Sequence, residues 1–317
     1  MESLAVIILL FILGLVFIIK GGDWFVDAAG WIAEVSGIPR FIVGATIVSL
    51  ATTLPELFVS SIAASKGQAD MAIGNAIGSV TANTGLIMAL SMVFLPSVLK
   101  RKDYLFKSVL LIGTVALLWL LCSDGTLPMA RGVIMFVVFA VFIWENVRAA
   151  KKSSENETVS KPEKPARKTV LRHILLFVLG AAGIVIGSNL LVDNGTLLAQ
   201  RLGVPENVIA LTAVAIGTSL PELVTAITSI IKKEASLSVG NVIGANLIDT
   251  ALILPVCSLI SGGTLHVSAS TIRIDMPVCL AVTMIALIPA LISQRFRRWQ
   301  GVVLIAIYVA YLLVVCL

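Results

Sequence analysis

Residues Ser49-Leu50-Ala51-Thr52-Thr53-Leu54-Pro55-Glu56-Leu57-Phe58-Val59-Ser60 set a proline and a carboxylate in the middle of an otherwise apolar run. The centre recurs downstream as Thr218-Ser219-Leu220-Pro221-Glu222. A charged side chain near the middle of a bilayer costs roughly 2.5–3.5 kcal/mol even on insertion scales, so it faces a partner, an ion or water. Pro55 has no N–H and its ring crowds the carbonyl four residues back, so the helix around Ala51 and Thr52 should loosen and free carbonyl oxygens. Such oxygens, set in hydrocarbon, need a neighbour or a cation.

The rest of the chain agrees that the run lies in a membrane. Of 317 residues 58% are hydrophobic and 13% charged, and the mean hydropathy is +1.03, values of a polytopic membrane protein. Its net charge of +5 sits in short loops between apolar runs, the pattern of membrane orientation and not of nucleic-acid binding. Cys122, Cys257, Cys279 and Cys316 stand singly in apolar surroundings, without metal-ligand spacing, and read as packing residues. Neither a cofactor nor a required protein partner is indicated, and the opening apolar run, Leu4 to about Ile19, lacks the basic flank of a cleavable leader.

A spanning helix takes about 20 apolar residues. Ten candidates meet that length, near 4–33, 41–64, 71–96, 104–122, 129–147, 173–200, 205–231, 236–261, 272–292 and 299–316. The polar segment 148–172, rich in Lys, Glu, Ser and Pro, reads as a flexible loop linking a five-span unit at 1–147 to a second at 173–317. With the amino terminus outside, Arg40, Lys100, Arg101, Lys102, Lys107, segment 148–172, Lys232, Lys233, Arg295, Arg297 and Arg298 are cytoplasmic. Only Lys66, Arg131, Arg201 and Arg273 are then external. Both termini are therefore expected outside a cell (plasma or inner) membrane.

The two units repeat each other without gaps. Val26-Asp27 matches Val192-Asp193, Ile38-Pro39 matches Val204-Pro205, Pro55-Glu56 matches Pro221-Glu222, and Gly74-Asn75 matches Gly240-Asn241, each pair offset by 166 residues. Five spans is an odd number, so the second unit enters from the opposite side, which predicts an inverted-topology repeat with a site at the midplane.

Polar side chains mark that site. Ser49, Thr53, Glu56 and Ser60 share one helical face with Thr52 beside them, and Asn75, Ser79 and Asn83 follow at steps of four. Thr218, Ser219, Glu222, Thr225 and Ser229, then Asn241, Ala245 and Asp249, repeat the pattern. Hydroxyl, amide, carboxylate and freed carbonyl are all oxygen donors, which suit hard cations such as Na⁺ and Ca²⁺. Hydroxyls such as Ser60 and Ser229 also stitch helices together, and Gly74, Gly78, Gly240 and Gly244 form close-packing seams. Neither role accounts for Glu56, Glu222 and Asp249, which have no Lys or Arg in the same spans. Lys20 is expected to snorkel, and Asp23 to pair nearby.

With these motifs in place, the chain resembles the sodium/calcium exchangers of the calcium:cation antiporter superfamily, in their compact prokaryotic form. The resemblance covers the whole chain and is most specific in two motif regions, 44–86 and 210–252. It implies an all-α protein of ten transmembrane helices with four ion sites among helices 2, 3, 7 and 8. By the same resemblance Glu56 and Glu222 hold calcium together with the carbonyls of Thr52 and Thr218. Thr52, Thr53, Ser79 and the Ser49 carbonyl build one flanking sodium site, Thr218, Ser219 and the Ala215 carbonyl the other, and Asn83 and Asp249 lie in the middle. One departure bears on coupling, since Ala245 stands where a matching exchanger has serine; Ala51 replaces a motif glycine with less consequence. The implied activity is Na⁺/Ca²⁺ antiport by alternating access, with an H⁺- or K⁺-coupled exchanger of the same fold as the alternative. An intramembrane aspartyl protease is disfavoured because no Tyr-Asp plus Gly-x-Gly-Asp pair is present, and a channel would differ in needing no counter-ion.

Overall fold

Thirty-three residues, mostly apolar, form α1 (Leu4–Ser36), capped by the Ser3 side chain accepting from the Val6 N–H and ended by Gly37 at φ +67°. At 1.5 Å per residue it is about 50 Å long, well beyond the roughly 30 Å hydrocarbon layer. The computed structural model describes residues 3–96, 101–156, 165–202 and 219–316.

After Gly37 come α2 (Arg40–Val43), a π-helical segment at Gly44–Val48, α3 (Ser49–Thr52) and α4 (Leu54–Ser65). Then follow α5 (Ala69–Ala82), a π segment at Asn83–Met88, α6 (Ala89–Phe94), α7 (Arg101–Leu121), strand β1 (Thr126–Pro128), α8 (Met129–Asn156) and α9 (Arg167–Arg201). The remainder is α10 (Leu220–Ile231), α11 (Ala235–Ile248), a π segment at Asp249–Ile253, α12 (Leu254–Ile260), strand β2 (Thr264–His266), a π segment at Thr271–Asp275, α13 (Met276–Ser293) and α14 (Arg298–Cys316).

Among the described residues eight helices are long and apolar enough to cross a membrane, and the pair Arg40–Thr52 and Leu54–Ser65, bent by 45°, makes a ninth. Of the span expected over 205–231 only Leu220–Ile231 falls among them. The protein is a multi-pass, essentially all-α membrane protein. The two runs Ala69–Phe94 and Ala235–Ile260 are its centre and mostly buried, whereas Leu4–Ser36 and Met129–Lys152 lie mostly at the outside. Exposed Leu, Ile, Val and Phe on the outer helices form the lipid-facing surface.

Glycine sets the closest crossings. A Cβ on Gly44 would run into the Leu237 carbonyl, and one on Gly240 into the Phe41 carbonyl, so α11 lies backbone to backbone against the Gly44–Val48 segment. Gly244 continues that seam, 2.6 Å from its Cβ position to the Ala45 oxygen, whereas a Cβ on Gly74 or Gly78 would meet no other element among the described residues within 4 Å, so these two do not form a close-packing seam. A second seam joins α1 to α9, where a Cβ on Gly21 would lie 2.8 Å from the Gly180 oxygen. Lys232, just past α10, holds α1 at 3.4 Å from Asp23 and 2.7 Å from Asp27, so Asp23 pairs with a lysine distant in sequence.

One non-helical feature escaped hydropathy. β1 and β2 pair antiparallel, Thr126 with His266, Leu127 with Leu265 and Pro128 with Thr264, both leucines turned inward. Hydrogen bonds from Arg131 at 2.6 and 2.8 Å hold the Asp124 carboxyl beside this ladder, and hold it well below the usual carboxylate range.

Element bounds in the two halves coincide at the 166-residue offset. Leu54–Ser65 corresponds to Leu220–Ile231, Ala69–Ala82 to Ala235–Ile248, and the π segments open at Asn83 and at Asp249. The turn after each short helix uses a left-handed residue at the same place, Gly67 at φ +73° and Lys233 at φ +60°.

Candidate ion-binding site

The proline placement works differently from a mid-helix kink. Thr53 (φ −86°, ψ 0°) and Ser219 (φ −85°, ψ 5°) break the helix before each Pro-Glu pair, so Pro55 and Pro221 sit at new helix starts, where a missing N–H costs nothing. Glu56 and Glu222 consequently fall in the first turns of α4 and α10, where the N-terminal ends of the helix dipoles favour negative charge. The Ser49 carbonyl is in demand. It accepts from the Thr53 N–H at 2.9 Å, the Thr53 hydroxyl at 2.6 Å and the Thr52 hydroxyl at 3.3 Å.

The polar stripes of the two halves meet, and side-chain hydrogen bonds cross between them. Thr52 donates to Asn241 Oδ1 at 3.2 Å, Thr53 to Glu222 Oε1 at 3.4 Å, Ser219 to Ser79 Oγ at 3.3 Å, and Asn83 Nδ2 to Asn246 Oδ1 at 3.1 Å. Glu56, Glu222, Asp249, Asn83, Ser79, Thr52, Thr53, Ser49 and Ser219 are all buried. Ala245 lies at the place equivalent to Ser79, fully buried and without a donor atom. Thr218 and Ala215 lie outside the described residues.

Within this ring the acids are short of partners. Both oxygens of Glu56, both of Asp249, Oε2 of Glu222 and Oδ1 of Asn83 are buried with no hydrogen bond among the described residues. Glu56 feels the charges of Glu222 and Asp249, and Asp249 that of Glu222. Ionised carboxylates left this way cost several kcal/mol each unless a cation joins them. No three His, Cys, Asp or Glu side chains among the described residues form a metal-holding group alone. A bound ion would complete its shell from hydroxyl, amide and carbonyl oxygens, as hard cations do.

The bland roles are also visible. Ser60 accepts from Asn75 Nδ2 at 2.9 Å and donates to the Ala72 carbonyl at 3.3 Å, stitching α4 to α5. Asn75 also holds the Glu56 carbonyl at 3.3 Å. Asn246 and Thr84 belong to the ring yet have no place in the sequence-derived set. A stripe read by fours from Asn241 passes over position 246, and the equivalent residue of the first half, Val80, is apolar.

Among the described residues, buried acids without hydrogen-bond partners at a seam between two similar halves suit a cation inside a multi-pass helical membrane protein. The family model described as sodium/calcium exchanger protein matches residues 6–147 and 172–317, and the chain belongs to that family of transporters. It is 33% identical to the sodium/calcium exchanger MaX1 of Methanosarcina acetivorans over 96% of this chain and 97% of that one. Inner membrane protein YrbG of Escherichia coli is also 33% identical, over 96% and 94%. Among solved structures, the sodium-calcium exchanger NCX_Mj soaked with 10 mM Na⁺ and zero Ca²⁺ superimposes with a TM-score of 0.85 at 27% identity, covering 97% of this chain and 98% of that one. The same exchanger soaked with 2.5 mM Na⁺ and 10 mM Sr²⁺ gives 0.84.

Proposed function

We propose that this antiporter exchanges Ca²⁺ for Na⁺ by alternating access. The observation that carries the reading is the pair Glu56 and Glu222, buried in the first turns of α4 and α10 with three of four carboxylate oxygens unpartnered among the described residues. Calcium is held between them, and sodium ions compete for the same oxygens with help from Thr52, Thr53, Ser79, Ser219, Asn83 and Asp249. Thr218 and the Ser49 and Ala215 carbonyls complete the set. An empty cluster of acids is costly to occlude, so return without a counter-ion is suppressed. The soaks of NCX_Mj with Na⁺ and Sr²⁺, an ion chemically close to Ca²⁺, support this choice of cations. The test is ⁴⁵Ca²⁺ uptake into proteoliposomes under separately imposed Na⁺, K⁺ and H⁺ gradients. Uptake driven by an outward Na⁺ gradient is expected; uptake driven only by K⁺ or H⁺ would replace sodium as the coupling ion.

The same reading makes the protein ten transmembrane helices in two inverted five-helix units, 1–147 and 173–317, joined by a cytoplasmic segment 148–172, with both termini outside the cell membrane. The coincident element bounds at the 166-residue offset support it. Single cysteines introduced at Ser154 and Ser293 are expected to react with an impermeant maleimide only from the cytoplasmic side. Labelling of the two from opposite faces would overturn the five-plus-five arrangement.

Ala245 gives the coupling its own test. The position takes part in the buried ring but offers no oxygen, so Ala245→Ser is expected to add a sodium ligand. The apparent Na⁺ affinity of calcium efflux should rise roughly threefold to tenfold, the value of one well-placed hydrogen-bonding group. An unchanged sodium dependence would mean that position 245 does not reach the ion.

A further inference from the structure

Asn246 is fully buried in the last turn of α11 and reaches two consecutive residues of the other half. Its Oδ1 accepts from Asn83 Nδ2 at 3.1 Å, and its Nδ2 donates to Thr84 Oγ1 at 2.8 Å. Asn83 and Thr84 open the π segment Asn83–Met88 beside the acids. A carboxamide has one acceptor end and one donor end. In the arrangement present, the donor end of Asn246 lies on Thr84 Oγ1 and its acceptor end on Asn83, which answers with its own N–H. The Asn83 oxygen is then the end left over. It is buried and has no hydrogen-bond partner among the described residues, as is true of oxygens on Glu56, Glu222 and Asp249.

The two halves differ here in a way that this orientation explains. At the place of Asn83 the second half has Asp249, and at the place of Asn246 the first half has Val80, again at the 166-residue offset. The two oxygens of a carboxylate are equivalent, so Asp249 presents an acceptor whichever way it turns. A carboxamide turned the wrong way would aim an NH₂ at the cation. Only the half with the amide carries an orienting partner; the half with the acid has a buried valine there.

Building on the reading of Asn83 as an ion ligand, we propose that Asn246 is a positioning residue for ion binding, fixing the Asn83 carboxamide with its oxygen toward the site. It touches no ion itself and acts only through Asn83.

The experiment is a double-mutant cycle of Asn246→Leu and Asn83→Ala, reading the concentrations of Na⁺ and Ca²⁺ at half-maximal exchange separately from the maximal rate in proteoliposomes. Asn246→Leu alone is expected to raise the half-maximal Na⁺ concentration roughly five- to tenfold, the worth of one ligand contact, with a smaller change in maximal rate. Placed on Asn83→Ala, it should add nothing further. Equal shifts in both backgrounds, or no shift in the single variant, would overturn the proposal. If Asn83→Ala leaves ion affinity unchanged, the ligand reading of Asn83 fails and takes this inference with it. If Asn83→Ala shifts affinity and Asn246→Leu does not, only the positioning role fails. Should Asn246→Leu not yield folded protein, Thr84→Val removes the far anchor and decides the question. A smaller shift in the same direction, absent on Asn83→Ala, supports the proposal, and no shift refutes it.

Discussion

Glu56→Gln and Glu222→Gln are each expected to abolish Na⁺-driven ⁴⁵Ca²⁺ uptake while leaving a folded, monodisperse protein. Glutamine keeps the shape of the side chain, so packing in the first turns of α4 and α10 is preserved. It removes one of the two charges proposed to hold calcium and replaces an acceptor with an NH₂ donor. A charge-assisted contact is worth about 1.5–3 kcal/mol, so losing one weakens calcium about ten- to a hundredfold before the misdirected N–H is counted. Folding should not suffer. Each substitution relieves a buried group that lacks partners, so thermal stability in detergent without calcium should stay level or rise. Near wild-type flux in either variant would sink the assignment of these carboxylates.

Gly240→Ala should produce the largest loss of stability of any single methyl addition in the core. The added Cβ meets the Phe41 carbonyl, and backbone cannot swing aside as a side-chain tip can. Gly44 faces α11 from the opposite side of the same crossing, so the helices have to part along their length. Overpacking of this kind costs roughly 1–3 kcal/mol or more, enough to lower the thermal midpoint in detergent by several degrees and to reduce yield. Gly113→Ala is the control, since nothing among the described residues lies within 4 Å of its Cβ position, and it should be neutral. Equal behaviour of the two variants would mean that the α11 crossing tolerates more separation than its geometry implies.

Much of this architecture is legible in the chain because charge in hydrocarbon is so heavily penalised that three acids without a basic partner in their spans announce a buried polar centre. Spacing by fours then collects Ser49, Thr53, Glu56 and Asn75, Ser79, Asn83 onto faces that the structure does bring together. Legibility fails where the periodicity itself changes. The break lies at Thr53 and Ser219, one residue before each new helix, since the bend belongs to the residue ahead of a proline-led first turn and not to the proline. Asn246 is hidden for a related reason, because it projects off the stripe and its counterpart Val80 carries no polar signal. The β1–β2 ladder is three residues long on each side, too short for alternation to register.

The π segments at Asn83 and Asp249 also act as phase shifters. Eight residues of plain α-helix turn about 80° past two full revolutions, so Ser91, eight after Asn83, would drift off the inner face. One residue absorbed by the wider turn brings it back to within about 20°. Ser91 is indeed buried, its hydroxyl 3.0 Å from Ser238, and Cys257, eight after Asp249, is buried as well. Each central rod therefore spends one residue of its length on rotation instead of rise, and in return keeps a single inward face on both sides of its middle residue. Length and azimuth are uncoupled at that point, so the depth of Asn83 and Asp249 in the bilayer can be set without twisting the outer half of either rod toward lipid.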